Sequence, residues 1–205
     1  MSKRILEEKE KEIASELKNI DAIKFGEFEL TSGKSSPYYL DLRTIPSHPP
    51  LFDLLTEECA KIIDSKIGDE GTIAGVPTAG LPFASVISYK LKMPLVYVRE
   101  EKKRHGTKSA IEGDVKGEVI LIDDLTTTGG SISSAAKTLR NAGANVENAL
   151  VMVEREEGAE KNLKNIGINL HFLTKVSDII KYLRETSKIS DKEYRLVNDY
   201  LESNK

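Results

Sequence analysis

The stretch VILIDDLTTTGGS, residues 119–131, constrains what this chain can fold into more than any other stretch. It opens with four apolar residues, which are too few for a helix and are typical of a strand buried on both faces. Asp123 and Asp124 follow at the carboxyl end of that strand, and a turn rich in Thr and Gly then leads into a helical pattern. Such a turn predicts an anion site, because backbone N–H groups and the helix dipole point into it.

The acid pair predicts a second kind of contact beside this anion site. Carboxylates do not bind phosphate, but they accept hydrogen bonds from sugar hydroxyls and help to hold a hydrated Mg²⁺. No Gly-Lys-Ser/Thr ends the turn, so it is not a P-loop, and the dinucleotide pattern G-x-G-x-x-G is absent. An ordinary strand-to-helix turn with a chance Asp pair is the weaker interpretation.

Composition narrows the class of protein. The length of 205 residues suits one domain, 1–205, and 39% hydrophobic residues suffice for a core. No apolar run approaches the roughly 20 residues of a membrane span, and the N-terminus lacks the apolar core of a signal peptide. With a single cysteine, Cys59, no intramolecular disulfide can form, so we expect a cytoplasmic protein. A net charge of −3 argues against a general nucleic-acid binder.

The order of apolar patterns predicts the architecture. A helix is expected over about residues 5–20, followed by an aromatic-rich hairpin, here called the hood, over about residues 20–45. Strands then alternate with helices from Leu51 to Leu183, and Ser177 is the expected N-cap of the last of these helices. This order predicts an α/β fold, with an open, mostly parallel sheet that carries helices on both faces. Ligands are expected at the carboxyl ends of its strands.

A basic segment from Arg99 to Lys108 interrupts this alternation. It carries five basic and two acidic residues, a local charge of +3, and no apolar periodicity runs through it. Long loops inside compact domains are usually lids or disordered segments. From charge alone, a solvated surface loop and a lid over an anionic ligand both remain open.

The acid pair and the turn after it resemble the phosphoribosyl-pyrophosphate (PRPP) motif of the type I phosphoribosyltransferases. The hood reads Phe-Gly-x-Phe-x-Leu, then Ser-Gly and Ser-Pro-Tyr, and the basic loop reads Arg-x-Glu-x-Lys-x-His-Gly. Both patterns are similar to those of the orotate phosphoribosyltransferases, and the resemblance extends from about Phe25 to Leu183.

The resemblance implies roles for particular side chains. The catalytic residues would be Lys103, His105, Asp123 and Asp124. The PRPP site would consist of Arg99, Lys102, Lys103, His105, Asp123, Asp124, Leu125, Thr126, Thr127, Thr128, Gly129, Gly130 and Ser131. The orotate site would consist of Tyr38, Tyr39, Thr127 and Arg155. Thr31 and Glu100 depart from the family pattern, which usually has Lys at both positions.

The resemblance also implies a reaction, a cofactor and an assembly. Orotate and PRPP would give orotidine 5′-monophosphate and pyrophosphate, with Mg²⁺ bound mainly through PRPP and reaching the acid pair only through water. A homodimer would share the loop 99–110 across its interface. Three alternatives stay open: transfer to another base, a PRPP-binding regulator of pyrimidine genes without catalysis, and a purely structural module.

Overall fold

The computed structural model describes residues 7–29, 33, 35–68, 70–99, 110–115 and 117–203. The strands are β1 (Ile23–Glu29), β2 (Ser35–Leu40), β3 (Thr72–Gly75), β4 (Leu95–Val98), β5 (Ile111–Glu112), β6 (Glu118–Thr126), β7 (Asn145–Glu154) and β8 (Asn169–Lys175). The α-helices are α1 (Glu8–Asn19), α2 (Pro49–Ile62), α3 (Gly80–Leu91), α4 (Gly130–Asn141), α5 (Ala159–Lys164), α6 (Val176–Glu185) and α7 (Asp191–Ser203). Within these ranges, no helix combines the length and the apolar character needed to cross a membrane.

Six strands form one sheet in the order β5-β4-β3-β6-β7-β8. All pairs are parallel except that of β4 with β5, which is antiparallel. The predicted open, mostly parallel sheet is confirmed. Because β4 lies on one side of β3 and β6 on the other, the carboxyl ends of β3 and β6 border a topological switch point, where ligands of such sheets bind.

The side chains of β6 show how the sequence divides between the two faces of the sheet. Val119 and Leu121 pack in one core cluster with residues of α4 and α5, whereas Ile120 and Ile122 pack in another with residues of α2, α3 and α6. All four are at most 1% exposed, which explains the uninterrupted apolar run. Helices therefore cover both faces, as predicted.

The strand β6 is longer than its apolar run predicts. Its pairing with β7 continues from Asp123↔Val151 to Thr126↔Glu154, so both carboxylates belong to the strand itself. Backbone groups make the ladder, and polar side chains at the end of a strand do not stop it. The turn that is predicted to bind an anion, here called the phosphate turn, is correspondingly short and lies between Thr126 and Gly130.

The hood is a separate antiparallel hairpin of β1 and β2, with a bulge between Phe25 and Phe28. It falls inside the predicted range, and its turn residues Leu30, Thr31, Ser32 and Lys34 lie outside the described residues. Tyr38 and Leu40 of β2 are buried in the same cluster as the α2–α3–α6 face of the sheet, and α7 packs against β2. The hood is therefore attached to the sheet through a shared core.

Candidate active site

The acid pair lies where the end of β6 meets the start of α3. Asp123 and Asp124 are 7% and 8% exposed, and the Asp124 N–H donates to Asp123 Oδ1 at 2.9 Å. Gly80 allows this close approach, because a Cβ there would lie 2.5 Å from the Ile122 carbonyl oxygen and 3.1 Å from Asp123 Oδ1. A side chain at Gly80 would push α3 away from the carboxylates.

Burial gives the two carboxylates unusual proton affinities. Burial and the adjacent charge of Asp124 raise the pKa of Asp123 to about 9. Burial also raises the pKa of Asp124, although hydrogen bonds from backbone N–H groups oppose that rise. Adjacent buried carboxylates do not readily ionise together. The pair is therefore suited to a ligand that brings hydroxyl donors or positive charge.

A cavity of about 370 Å³ opens between the end of β6 and the loop after β3. Its lining brings the acid pair and the predicted phosphate turn together, and consists of Pro77, Thr78, Ala79, Asp123, Asp124, Leu125, Thr126, Thr127, Thr128, Gly130 and Ser131. The remaining predicted residue, Gly129, is buried with φ +84°, a backbone conformation that favours glycine. Because α4 begins at Gly130, the N–H groups of its first turn have no intrahelical acceptors and are available to an anion.

Helix α5 supports the phosphate turn from behind and has no counterpart among the predicted elements. Asn162 Nδ2 donates to the Thr128 carbonyl oxygen at 3.0 Å, and a Cβ on Gly129 would lie 2.8 Å from Leu163 Cγ. With six residues, α5 is too short to show a helical repeat in the sequence. The local sequence signal that could have marked its start is Gly158, which precedes the helix and adopts a positive φ in the structure.

The two described ends of the basic loop, Arg99 and Ala110, lie close together. Residues 100–109, which include Lys102, Lys103 and His105, lie outside the described residues. The Arg99 N–H donates to the Ala110 carbonyl oxygen at 2.9 Å, so the two ends of the loop meet. Arg99 therefore lies at the base of the loop.

A second cavity, of about 820 Å³, adjoins the first on the side of this loop. Arg99 lines it, and Pro77, Gly130 and Ser131 line both cavities. Arg99 Nη1 pairs with Glu112 at 2.6 Å, so in this state its charge is directed to β5. The space next to the acid pair is thus large enough for a ligand that extends from the turn toward the loop.

The residues predicted for the base are divided among three places. Thr127 lines the smaller cavity, whereas Tyr38 and Arg155 contact each other behind the ends of β6 and β7. Tyr38 is 0% exposed, so its ring offers no free face for stacking a base in this structure. Tyr39 lies on the other face of β2, where its ring is 5.6 Å from that of Phe28.

Arg155 stands close to the cavity through its backbone. Its N–H donates to the Thr126 carbonyl oxygen at 3.0 Å, next to the cavity-lining Thr127. The side chain is held by an ion pair to Glu157 at 2.9 Å.

Among the described residues, no three His, Cys, Asp or Glu side chains form a group that could hold a metal ion.

These features define a phosphoribosyl transferase domain, and the family of that description matches residues 42–177. The chain is 47% identical to the orotate phosphoribosyltransferase of Sulfolobus acidocaldarius over 87% of this chain and 90% of that protein. It is 40% identical to the orotate phosphoribosyltransferase of Staphylothermus marinus over 95% of each. The chain belongs to the orotate phosphoribosyltransferase family.

Solved structures agree with this assignment. The orotate phosphoribosyltransferase of Aeropyrum pernix superposes with a TM-score of 0.74 at 32% identity, over 83% of this chain and 98% of that one. Leishmania donovani UMP synthase superposes with a TM-score of 0.84 at 35% identity, over 94% of this chain. This chain spans 42% of that longer protein, so the similarity concerns one part of it.

Proposed function

We propose that this chain transfers the 5-phosphoribosyl group of PRPP to orotate, giving orotidine 5′-monophosphate and pyrophosphate. The observation that carries the proposal is the cavity in which a buried acid pair and an open helix N-terminus lie side by side. The family, and the orotate phosphoribosyltransferases to which the chain is similar, supply the base and the reaction. The enzyme is accordingly a pentosyltransferase.

The ribose 5-phosphate part of PRPP fits the smaller cavity. The backbone N–H groups and hydroxyls from Thr126 to Ser131 hold the 5′-phosphate, since they face the cavity at the start of α4. Asp123 and Asp124 accept hydrogen bonds from the ribose hydroxyls. Donation from these hydroxyls stabilises the charged carboxylates and so favours release of the extra proton from the pair.

The pyrophosphate leaves toward the larger cavity. Bond breaking at the anomeric carbon places positive charge on the ribose and negative charge on the leaving group, so catalysis rests on positioning and charge neutralisation. Arg99, Lys102, Lys103 and His105 supply that neutralisation, and closure of their loop excludes water that would hydrolyse PRPP. Mg²⁺ binds mainly to the oxygens of PRPP and reaches the acid pair only through water.

Orotate is held at the ends of β6 and β7. The guanidinium of Arg155 is matched to a planar carboxylate, and Thr127 offers a hydroxyl on the cavity wall. Tyr39 contributes from the hood. We further propose that two chains form a homodimer in which the loop 99–110 of one subunit completes the site of the other.

The test is an assay with purified protein, Mg²⁺, PRPP and orotate that follows the loss of orotate's ultraviolet absorbance. Loss that requires both PRPP and Mg²⁺ is expected. A parallel panel of uracil, adenine, guanine and hypoxanthine distinguishes transfer to another base. PRPP binding without consumption of any base would overturn the proposed reaction and favour a regulator.

A further inference from the structure

Arg155 is unusually buried for an arginine, and its two partners come from different parts of the chain. It is 6% exposed. Nε donates to the hydroxyl oxygen of Tyr38 at 3.0 Å, and Nη2 pairs with Glu157 Oε1 at 2.9 Å. Buried guanidinium groups require such partners, because an unpaired buried charge is strongly unfavourable. Among the described residues neither Nη1 nor Nη2 makes a hydrogen bond, so the contact of Nη2 with Glu157 Oε1 is an ion pair alone.

Tyr38 is itself held rigidly. Its ring is fully buried and meets the ring of Tyr200 edge-on, at a centroid distance of 6.0 Å and an angle of 80°. Ser36 Oγ donates to the Tyr38 carbonyl oxygen at 2.8 Å, which fixes the backbone of β2 at this point. Burial raises the pKa of the Tyr38 hydroxyl, so the group stays neutral at all physiological pH values. Tyr38 is thus a fixed, uncharged acceptor for Arg155.

The turn that carries Glu157 is also anchored. Glu156 adopts φ +62° and its carboxylate accepts the N–H of Ser177 at 2.9 Å, at the start of α6. Glu154 Oε1 accepts the N–H of Glu156 at 2.8 Å. The carboxylate of Glu157, whose side chain is 14% exposed, is therefore presented to Arg155 from a turn with little freedom to move.

We infer that Tyr38 and Glu157 are positioning residues that orient the guanidinium of Arg155 toward the carboxylate of the base. This inference rests on the proposed function, in which Arg155 receives that carboxylate. Nε is held by its hydrogen bond to Tyr38, and Nη2 is held by its ion pair with Glu157, although Nη2 makes no hydrogen bond of its own. Nη1 has neither kind of protein partner among the described residues and is the nitrogen left to a ligand. Selection of a carboxylated pyrimidine over an uncharged one then depends on two residues that need no contact with the base.

The test measures binding of two nucleotides that differ by this carboxylate, orotidine 5′-monophosphate and uridine 5′-monophosphate, by calorimetry. Tyr38→Phe keeps the ring and removes the acceptor, and Glu157→Asp keeps the charge but withdraws it by one methylene. Each variant should raise the Kd of orotidine 5′-monophosphate about tenfold and leave that of uridine 5′-monophosphate within about twofold, as expected for one misaligned charge-assisted contact.

Matched controls exist for both changes. Tyr182→Phe removes a partly buried hydroxyl that accepts from Ser15 in another part of the fold, and Glu160→Asp shortens an exposed carboxylate paired with Lys175. Neither control should alter the ratio of the two Kd values. Thermal unfolding of all four variants shows whether the fold is intact. If Tyr38→Phe does not fold, the binding result for Glu157→Asp is the test of the positioning role.

The outcomes separate the inference from the function on which it rests. Equal weakening of both nucleotides in the variants, or unchanged binding of both, would overturn the positioning role while wild-type turnover of orotate still upholds the function. A wild-type protein that neither consumes orotate nor prefers the carboxylated nucleotide would overturn both.

Discussion

Replacing Asp123 with Asn should make the ligand-free protein more stable and the enzyme nearly inactive. Asn has the shape of Asp but no charge. Asp123 is 7% exposed and lies beside Asp124, so its ionised form is destabilised by burial and by like charge. The hydrogen bond from the Asp124 N–H does not offset this cost, since the pKa of Asp123 is still raised, whereas the hydroxyl donors of a bound ligand give the charge further favourable partners. The carboxylate is therefore unfavourable for folding and required for binding.

The pH dependence of this effect follows from the raised pKa of Asp123, about 9 against an ordinary 3.8. The folded protein retains a proton that the unfolded chain releases, so the stability that this proton contributes is full below the unfolded pKa and is lost as pH rises through the folded pKa. For one proton, the slope is at most about 1.4 kcal/mol per pH unit. Asp123 and Asp124 titrate together, so the change in stability stays below this one-proton limit. Between about pH 6 and pH 9 the stability advantage of the variant should therefore grow by about 2 kcal/mol.

The assay is thermal unfolding of wild type and Asp123→Asn without ligand at these two pH values. For a chain of this size, about 2 kcal/mol corresponds to a Tm difference of roughly 4–8 °C. Turnover should fall by about 10²-fold, the scale of losing hydrogen bonds to a charged acceptor. Asp64→Asn, a change at an exposed residue, serves as control and should alter neither quantity. A variant whose Tm advantage shrinks as pH rises would refute the reasoning.

Three further results are expected. Gly80→Ala should lower the stability by about 1–3 kcal/mol in thermal unfolding, because its Cβ would lie 2.5 Å from the Ile122 carbonyl oxygen, whereas Gly130→Ala, with 3.8 Å to the nearest atom, should not lower the Tm. Asn162→Ala should raise the KM for PRPP about fivefold with kcat nearly unchanged, since one hydrogen bond to the phosphate turn is lost. Lys103→Ala should lower kcat more than about 10²-fold, because one charge partner of the leaving group is removed. Near-normal turnover of this variant would contradict that role of Lys103.

The sequence was sufficient for the features that arise within one element. The strand β6 and the turn after it could be predicted directly from the sequence. A short uninterrupted apolar run is typical of a strand buried on both faces, and a turn of small residues before a helix is typical of an anion site. Boundaries were less predictable. Ser177 is not the N-cap of α6: the helix starts at Val176, and its Ser177 N–H is bound by the side chain of Glu156. That acceptor comes from a distant turn, so no local pattern could reveal it.

The arrangement around Arg155 shows the same limit at the site itself. A Tyr-Tyr pair on a hood strand suggests two rings over a base, but strand alternation sends neighbouring side chains to opposite faces. Tyr39 therefore stays on the outer face with Phe28, while Tyr38 enters the core and meets an arginine 117 positions away. The resemblance in sequence assigns both tyrosines to the base site equally. It cannot distinguish a tyrosine that contacts a ligand from one that contacts another residue of the site. The burial of the Tyr38 hydroxyl and its distance of 3.0 Å to Nε distinguish the two tyrosines, since they show that Tyr38 contacts Arg155 inside the core.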